Sequence, residues 1–461
     1  MDLEKLKIRI KMSRATESGI TIPVPNGLEL RPYQKAAIEY HISNHYLHSL
    51  WAYPPGLGKT IIAIALANLL KFERILIIAP TSLLINWQKE IEKWSLLPNK
   101  KICRVKKGRD IIPKESNFII ISYGMLSAKD IEPQINFRKF DLIIIDEVHM
   151  LKNMNAERTR RVYGHGMHKG YATLTKHLIG LSGTPFSNRP SELFSTIKAF
   201  CHDAISRRDF WSYAKRYCGA FLDNMGHWDC SGASNQKELG ILLRGHFMAR
   251  CKKEEVLKDL PPLSVNIVFL EHSKESKKII NRMAEFSIEE ITGGFSASSD
   301  GISLDRKALG LTKVVPALDY LINQLDFGRD KIVVFAHHRE VVEALTEGLK
   351  EYGAVKFYGG MSAEQKDSAV VAFQEYPSTR VFVGSIVASG MGITLTASSY
   401  VAIVEASYVP GENKQAIDRL HRIGQLNNVE AEFLTFENSL DENIIKAHIL
   451  KNMNIKQILF D

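Results

Sequence analysis

Residues 141–149 have the sequence Asp-Leu-Ile-Ile-Ile-Asp-Glu-Val-His, an apolar run that ends in two adjacent carboxylates. An uninterrupted apolar run of about four to eight residues is typical of a strand buried on both faces, as in a parallel sheet. Runs of this kind occur at Ile75–Ile78, Phe118–Ile121, Leu142–Ile145, Ile332–Phe335, Val381–Val383 and Val401–Val404. Most of them precede turn residues and then an amphipathic stretch, so the sequence predicts an α/β protein with parallel sheets.

The apolar runs form two groups, one before about residue 200 and one after about residue 310, and this grouping predicts two lobes. Between them, residues 198–258 are rich in aromatic and basic side chains at helical spacing, and Val265–Leu270 resembles one more strand. The predicted organisation has four parts. These are an N-terminal extension over 1–28, a first lobe over 29–272 with a helical insertion at about 198–258, a helical and loop linker over 273–310, and a second lobe over 311–461 that ends in a helix.

The composition excludes several classes of protein. Hydrophobic residues make up 45% and charged residues 24% of the 461 residues, which is a globular rather than a disordered balance. The longest apolar stretch, Ile61–Leu70, is shorter than the roughly 20 residues that span a bilayer, and residues 1–14 lack the apolar block of a signal peptide. Five cysteines without a C-x-x-C pair indicate a reducing compartment. We therefore expect a soluble intracellular protein with no membrane contact. Its net charge of +9 suits a polyanion such as nucleic acid, although a merely basic surface would give the same value.

A candidate phosphate site lies in the sequence Pro-Pro-Gly-Leu-Gly-Lys-Thr at residues 54–60, directly before a helical run. A glycine-rich turn that leads into a helix N-terminus directs backbone N–H groups toward an anion. Lys59 is expected to neutralise the β- and γ-phosphates, and the Thr60 hydroxyl is expected to bind Mg²⁺. The match to the P-loop pattern is incomplete, because Tyr53 stands where that pattern has its first glycine.

The carboxylates after the run at 142–145 supply the second half of a nucleotide site. The carboxyl ends of parallel strands build the sites of such sheets, and Asp146 and Glu147 follow directly. Asp146 can hold Mg²⁺, and Glu147 can orient and deprotonate the attacking water. Together with the Gly-Lys-Thr segment, these residues predict a nucleotide hydrolase that uses Mg²⁺.

From about residue 30 to residue 448 the chain resembles the superfamily 2 helicases, and within them the Swi/Snf-type DNA translocases. The segments that carry the resemblance are Leu30–Gln34, Ala79–Leu83 with Asn86-Trp87, Leu181–Pro185, Asn188–Leu193, Ser389–Leu395 and Gln415–Gln425. The resemblance implies two RecA-like lobes with helical insertions. It also implies that the chain hydrolyses ATP and moves along double-stranded or branched DNA as a monomeric motor.

The resemblance also implies roles for individual residues. Nucleotide contacts are expected from Arg31, Gln34, Gly56, Gly58, Lys59, Thr60, Gly392 and Gln415. DNA-backbone contacts are expected from Thr81, Ser82, Gly360, Ser385 and Thr394, and coupling between hydrolysis and lobe movement from Ser182 and Thr184. Arg419 and Arg422 are three residues apart, which predicts one face of a helix. As arginine fingers of the second lobe they would stabilise the charge of the transition state.

Finer likeness points to the annealing-helicase branch, the relatives of HepA and HARP. It rests on Phe335–His338, Ser187–Phe194 and Leu260–Pro262. Two alternatives remain at this point: a strand-separating superfamily 2 helicase of DNA or RNA, and a nucleotide-bound scaffold with little hydrolysis of its own. In the insertion, interleaved basic and aromatic residues allow either a DNA-flanking surface or an aromatic core with a solvated basic face. Its cysteines and histidines lack the spacing of a zinc knuckle, which favours buried thiols.

Overall fold

The computed structural model describes residues 3–45, 47–165, 169–183, 185, 189–201, 209–223, 226–283, 300–389, 392–407, 409–439, 441–442 and 445. The chain divides into two compact units, and the division falls between Lys258 and Asp259. Each unit contains one parallel sheet, in agreement with the predicted fold class.

The sheet of the first unit has seven strands in the order β3-β4-β2-β5-β6-β1-β9, and all the described pairs are parallel. Its strands are β1 His48–Trp51, β2 Ile75–Ala79, β3 Ile102–Arg104, β4 Phe118–Ser122, β5 Leu142–Asp146, β6 His177–Leu181 and β9 Met248–Ala249. A separate antiparallel hairpin pairs β7, Phe221–Leu222, with β8, Trp228–Asp229. The residues of β2, β4 and β5 are all buried, because helices cover both faces of a parallel sheet.

Helices connect the strands of the first unit. The α-helices are α1 Leu3–Met12, α2 Pro32–Ile42, α3 Lys59–Leu70, α4 Leu84–Trp94, α5 Ile131–Asn136, α6 Glu157–Tyr163, α7 Phe194–Cys201, α8 Phe210–Tyr217, α9 Gln236–His246 and α10 Lys253–Val256. Short 3-10 helices occur at Thr81–Leu83, Tyr123–Met125, Val148–Leu151, Tyr171–Leu174 and Pro190–Leu193. The predicted insertion is thus mainly helical, but β9 also adds an edge strand to the sheet beside β1.

The sheet of the second unit has six strands in the order β10-β15-β14-β11-β13-β12, and its described pairs are also parallel. The strands are β10 Leu263–Phe269, β11 Ile332–Ala336, β12 Ala354–Phe357, β13 Val381–Ser385, β14 Tyr400–Ile403 and β15 Val429–Thr435. The helices are α11 Lys274–Met283, α12 Asp300–Asp326, α13 Arg339–Gly348, α14 Ala363–Glu375, α15 Ile386–Ser389 and α16 Pro410–Ile417, with a 3-10 helix at Lys350–Tyr352.

Two predicted boundaries differ from the structure. We predicted that the first lobe continues to residue 272, but β10 pairs along its whole length with β15 of the second sheet. We predicted a linker over 273–310, but Ile279, Ile280 and Leu309 belong to the core of the second unit. An apolar strand carries no local sign of which sheet it joins, so the sequence pattern did not identify this pairing. The predicted C-terminal helix lies mostly outside the described residues.

Long apolar helices are absent from the part of the chain that the structure describes. None of its described helices has the length and hydropathy needed to cross a membrane.

Candidate nucleotide site

The candidate nucleotide site lies at the carboxyl edge of the first sheet. Trp51, Asp146 and Leu181 end the three adjacent strands β1, β5 and β6, and Leu181 is in register with each of the other two. Since the strands are parallel, the loops that follow them emerge at the same edge. The topology therefore brings together the glycine-rich loop, the carboxylate pair and the segment that starts with Ser182.

The glycine-rich loop leads directly into α3, whose first residue is Lys59. Gly56 and Gly58 have positive φ angles of 87° and 72°, which glycine adopts at no steric cost. A Cβ atom at Gly58 would lie 2.6 Å from the Gln34 side-chain nitrogen, so a larger residue there would displace the Gln34 side chain. The Lys59 ammonium donates to the carbonyl of Tyr53 at 2.8 Å. The loop thus places a cation and a helix N-terminus together, as the phosphate prediction requires.

Helix α2 holds this loop from behind. The Tyr33 hydroxyl and the Gln34 amide both donate to the carbonyl of Leu57, at 3.1 and 3.2 Å. The Gln34 carbonyl in turn accepts from the backbone N–H of Arg31 at 2.9 Å, while the Arg31 side chain is exposed. Tyr53, the departure from the P-loop pattern, is buried and packs edge-to-face against Tyr33. Gln34 therefore supports the loop backbone in addition to its predicted contact with the base.

Asp146 and Glu147 form a buried acidic pair at the end of β5. Burial and the negative charge of Glu147 raise the pKa of Asp146 to about 7, although Trp87 and Lys59 act in the opposite direction. The Trp87 indole donates to Asp146 Oδ2 at 2.8 Å, and the Tyr123 hydroxyl donates to the Asp146 carbonyl at 2.7 Å. A buried pair of adjacent carboxylates suits a divalent cation, which offsets the cost of burying their charge.

The backbone turns sharply at Glu147, which has φ 58° and ψ 60°. A non-glycine residue in this left-handed region is uncommon and marks local strain of a kind found at functional sites. The Ser182 hydroxyl donates to Glu147 Oε2 at 3.3 Å, and His149 Nδ1 lies 3.2 Å from the same oxygen. The turn therefore aims the Glu147 carboxylate toward the start of the segment that follows β6.

The segment after β6 lies against the glycine-rich loop. A Cβ atom at Gly183 would be 2.8 Å from Pro55 Cδ, which leaves room only for glycine. Arg250, a buried residue after β9, donates to the carbonyl of Ala52 at 2.7 Å and to that of Gly183 at 3.4 Å. Ser182 is thus positioned between the acid pair and the loop. Thr184, the second predicted coupling residue, lies outside the described residues.

The oxygen donors at this edge fit Mg²⁺. Thr60 is the second residue of α3. Asp146 is close enough to Lys59 for the lysine charge to lower the pKa of Asp146. Mg²⁺ prefers hard oxygen ligands and takes most of them from phosphates and water. Within the described ranges, no group of three or more His, Cys, Asp or Glu side chains could hold a metal ion by itself. A site shared with nucleotide phosphates therefore suits these residues better than a self-contained metal centre.

The candidate DNA contacts differ in exposure. Thr81 is exposed and Gly360 is exposed, whereas Ser385 is buried and Thr394 is half-buried. The Ser82 hydroxyl is buried and has no hydrogen-bond partner among the described residues. Thr81 is thus exposed, whereas the hydroxyl of the half-buried Ser82 is not accessible at the surface.

Arg419 and Arg422 lie beyond a helix rather than on one. Helix α16 ends at Ile417, and a series of turns follows it. Arg419 is buried, and its carbonyl accepts from the backbone N–H of Leu395 at 3.0 Å. Arg422 donates to the carbonyl of Ile393 at 3.0 Å. The prediction that both residues lie on one face of a helix is therefore wrong. Both are instead hydrogen-bonded to the segment Ser389–Leu395, one of those that carry the family resemblance. In this region Gly392 has φ 66° and Gln415 is buried.

The insertion contains both arrangements that its sequence allowed, buried aromatic residues in the core and exposed aromatic residues at the surface. Tyr213 and Tyr217 are in the core, whereas Trp211 and Phe221 are exposed. Burial raises the pKa of Cys218 and of Cys251 to about 12, so these thiols stay protonated. Of the four cysteines in the insertion, Cys201, Cys218 and Cys251 are buried, as the interpretation as buried thiols expects, and Cys230 is half-buried.

Sequence reasoning missed or misassigned several residues that support the site. Trp87 was noted only as part of the resemblance, but its side chain is fully buried and donates to Asp146. Tyr123, His149 and Arg250 were not predicted to contribute, because polar partners from distant segments leave no local pattern. The sequence contained one indication of a supporting residue, namely that His149 lies two residues after Glu147.

Two domain families match the chain. The SNF2-related domain matches residues 33–311, and the helicase conserved C-terminal domain matches residues 313–424. Together these ranges contain every residue proposed for the nucleotide site except Arg31. The boundary between the two families lies in α12, well after the division between the compact units.

Curated relatives are similar over most of this chain. The human DNA annealing helicase and endonuclease ZRANB3 is 34% identical over 428 residues, which are 90% of this chain and 39% of that protein. The SWI/SNF-related matrix-associated actin-dependent regulator of chromatin subfamily A-like protein 1 of Xenopus laevis is 33% identical over 422 residues, which are 90% of this chain and 42% of that protein. The chain thus spans about two fifths of the length of these relatives.

A solved structure is also similar. The Sulfolobus solfataricus SWI2/SNF2 ATPase core in complex with dsDNA shares 23% sequence identity, with a TM-score of 0.44 over 96% of this chain and 95% of that chain.

Proposed function

Because the chain belongs to the SNF2-related family, we propose that it is a DNA-dependent ATPase that moves along double-stranded DNA. The observation that carries this proposal is the assembly at one sheet edge of the glycine-rich loop, Lys59 and the buried Asp146–Glu147 pair. This assembly has a phosphate-binding part, a cation-binding part and a base, which are the three parts that hydrolysis of a nucleoside triphosphate needs.

Each residue of the site has a proposed task. Lys59 and the N–H groups at the start of α3 bind the phosphates of ATP, and Gln34 and Arg31 contact the nucleotide at the end of α2. Thr60 and Asp146 hold Mg²⁺, which neutralises charge on the phosphates. Glu147 accepts a proton from the attacking water at its carboxylate, and Ser182 and His149 keep that carboxylate oriented. The tasks of Lys59, Thr60, Asp146 and Glu147 follow the chemistry of their side chains, and those of Arg31 and Gln34 follow the family resemblance.

The second unit is proposed to complete the reaction. Arg419 and Arg422 act as arginine fingers toward the γ-phosphate, and Gln415 and Gly392 contribute to the same surface. Support comes from their common attachment: Arg422 and Arg419 both bond to the backbone of residues 393–395. A finger supplied by the second unit makes hydrolysis depend on domain closure.

The DNA partner is proposed from the family and from the charge of the chain. Thr81 in the first unit, together with Gly360, Ser385 and Thr394 in the second, contacts phosphates. Such contacts carry no base information, so binding is expected to be independent of sequence and strongly salt-dependent. The net charge of +9 is compatible with a polyanionic partner.

We also propose that the motor rewinds or remodels branched DNA. Support comes from the names of the relatives, of which ZRANB3 is described as a DNA annealing helicase. The present chain covers only 39% of that protein, so the activity of its remaining parts does not transfer. The finer proposal is tested with a fork-regression substrate and with annealing of a bubble coated by a single-strand-binding protein.

The decisive experiment is steady-state ATP hydrolysis without nucleic acid, with duplex DNA, with single-stranded DNA and with RNA. Strong stimulation by duplex or forked DNA is the expected result. Stimulation by single strands or RNA alone would identify a strand-separating helicase instead, and unwinding of a tailed duplex would support that assignment. Absence of hydrolysis under all conditions, with normal nucleotide binding, would identify a scaffold.

A further inference from the structure

Trp87 connects two regions of the first unit that have different proposed roles. It lies in the first turn of α4, and its ring is fully buried. The indole N–H, the only polar atom of the side chain, donates to Asp146 Oδ2 at 2.8 Å. The sequence places Trp87 next to the candidate DNA contacts, but its side chain reaches the proposed Mg²⁺ ligand.

The indole restricts how the Asp146 carboxylate can rotate. Asp146 Oδ2 is engaged by Trp87, and the backbone of Asp146 is held by the Tyr123 hydroxyl at 2.7 Å. A buried carboxylate with one oxygen and its backbone held can present its other oxygen in only a narrow range of directions. Contacts of this kind, one step removed from a metal ion, commonly tune the affinity of the metal site.

The N-terminal end of α4, which carries Trp87, directly follows the candidate DNA contact. The 3-10 helix at Thr81–Leu83 continues into α4 without an intervening loop, and the backbone N–H of Leu84 donates to the carbonyl of Thr81. Thr81 and Trp87 are six positions apart, which is about 9 Å at the helical rise of 1.5 Å per residue. A phosphate bound at Thr81 therefore acts on the same continuous helical segment that carries Trp87.

We propose that Trp87 is a positioning residue that couples DNA binding at Thr81 to the orientation of Asp146, and so makes hydrolysis respond to DNA. This inference rests on the proposed function, since it requires that DNA stimulate hydrolysis. It names the path of that regulation within the first unit: Thr81, α4, the Trp87 indole and the Asp146 carboxylate. A tryptophan that served only to fill the core would be indifferent to DNA and to Mg²⁺.

The test variant is Trp87→Phe, which keeps an aromatic ring and removes the hydrogen-bond donor. The matched control is Trp94→Phe, because Trp94 is also buried and lies in the last turn of the same helix. We expect Trp87→Phe to raise the Mg²⁺ concentration for half-maximal hydrolysis about tenfold, and to lower the ratio of DNA-stimulated to unstimulated kcat about tenfold. Trp94→Phe should change neither quantity more than about twofold.

A second readout does not depend on activity. The chain has five tryptophans, so ¹⁵N-tryptophan labelling gives five indole N–H signals, and the signal that Trp87→Phe removes belongs to Trp87. Without nucleotide or Mg²⁺, saturating duplex DNA should shift the Trp87 signal in the wild-type protein. The shift should be lost in Thr81→Glu, whose negative charge repels a phosphate. DNA binding is followed on the same samples by fluorescence anisotropy.

The outcomes separate this inference from the proposed function. If duplex DNA binds and stimulates hydrolysis but the Trp87 signal is unmoved, or if Trp87→Phe behaves like Trp94→Phe, the positioning role is wrong and the ATPase proposal stands. If duplex DNA neither binds nor stimulates the wild-type protein, both are wrong. A shift of the Trp87 signal together with the Mg²⁺ effect supports the inference.

Discussion

Both sheets bury carboxylates near their carboxyl edges, but the two sets have different partners. In the first unit, Asp146 accepts from the neutral indole of Trp87, and burial together with Glu147 raises the pKa of Asp146 to about 7. In the second unit, Glu405 follows β14 and accepts from the backbone N–H groups of His337 and His338 and from His338 Nδ1. Burial alone would raise the pKa of Glu405, but these bonds and the His338 charge lower it overall.

A second carboxylate of the second unit is also neutralised within the protein. Asp441 is paired with the ammonium of Lys313, which is fully buried and also donates to the carbonyls of Val404 and Leu434 at 2.7 and 3.0 Å. Removing the partner of such a buried carboxylate leaves an uncompensated charge and is strongly destabilising. For Asp146, burial and the Glu147 charge outweigh the Trp87, Lys59 and backbone contacts, so we expect a bound cation to stabilise its ionised form. The comparison teaches that the partners of a buried carboxylate, and not burial alone, set the direction in which its pKa moves.

The largest expected effect is on the reaction. Glu147→Gln removes the proposed base, and we expect turnover to fall by about 10²- to 10⁴-fold. Binding of ATP should be retained, because the phosphate-binding residues are unchanged. Steady-state hydrolysis and titration with a fluorescent ATP analogue measure the two quantities. Glu430→Gln is the matched control, since Glu430 pairs with Arg329 at the start of β15. Near-normal turnover in Glu147→Gln would remove this residue from the role of base.

A stability effect of similar size is expected for the buried ion pair. Lys313→Met leaves the Asp441 charge and two carbonyls without their buried donor, so the free energy of unfolding of the second unit should fall by about 3–5 kcal/mol. The double variant Lys313→Met with Asp441→Leu should recover most of this loss, because no charge remains buried. Urea denaturation followed by circular dichroism measures both. Equal stabilities of the single variant and the wild type would contradict a structural role.

An effect of comparable size and opposite sign is expected at the first sheet edge. The pKa of Asp146 is raised above its ordinary value of 3.8, so the folded state is relatively stable below about pH 4 and loses stability as the pH rises toward 7. Asp146→Asn should therefore stabilise the metal-free protein at pH 8, by about 1.4 kcal/mol for each unit by which the pKa is raised. The gain should shrink at pH 5. Thermal unfolding in a chelating buffer measures this gain in stability. A loss of stability of Asp146→Asn at pH 8 would contradict the raised pKa of Asp146.

The smallest expected effect sharpens the contrast. Because the pKa of Glu405 is lowered overall, its ionised form stabilises the fold above about pH 4.5, and this contribution disappears as the pH falls. Glu405→Gln should thus cost about 1–2 kcal/mol at pH 7 and less at pH 4. The same thermal assay compares it with Asp146→Asn. If both amides shifted stability in the same direction at pH 7–8, the distinction between the two edges would fail.

The sequence predicted the strands better than their assembly. All six apolar runs are strands in the structure, within one or two residues at each end. Short or mixed strands such as β1 and β15 were missed, because their polar residues interrupt the apolar pattern. The strand at Leu263–Phe269 was found but placed in the wrong lobe, since hydrogen-bond partners of a strand are not encoded within the strand.

The same division holds for the candidate site. Gly56, Gly58, Lys59 and Thr60 could be assigned from sequence, because a glycine-rich turn before a helix has a local chemical meaning. The adjacent carboxylates after β5 could also be recognised from the sequence. The end of α16 before Arg419 could not be predicted, because helix boundaries depend on the contacts of the following turn, which here are with residues 393–395.

The sequence by itself therefore determined the α/β class, the two sheets and the residues that chemistry requires at a phosphate site. Only the tertiary structure decided that Trp87 contacts Asp146, that Arg250 joins Ala52 to Gly183, and that the Ser82 hydroxyl is buried. The physical reason is the distance along the chain over which each kind of interaction acts. Turn geometry, strand patterning and adjacent charges act between neighbours in the chain, whereas the partner of a buried polar atom is set by packing between segments that are far apart in sequence.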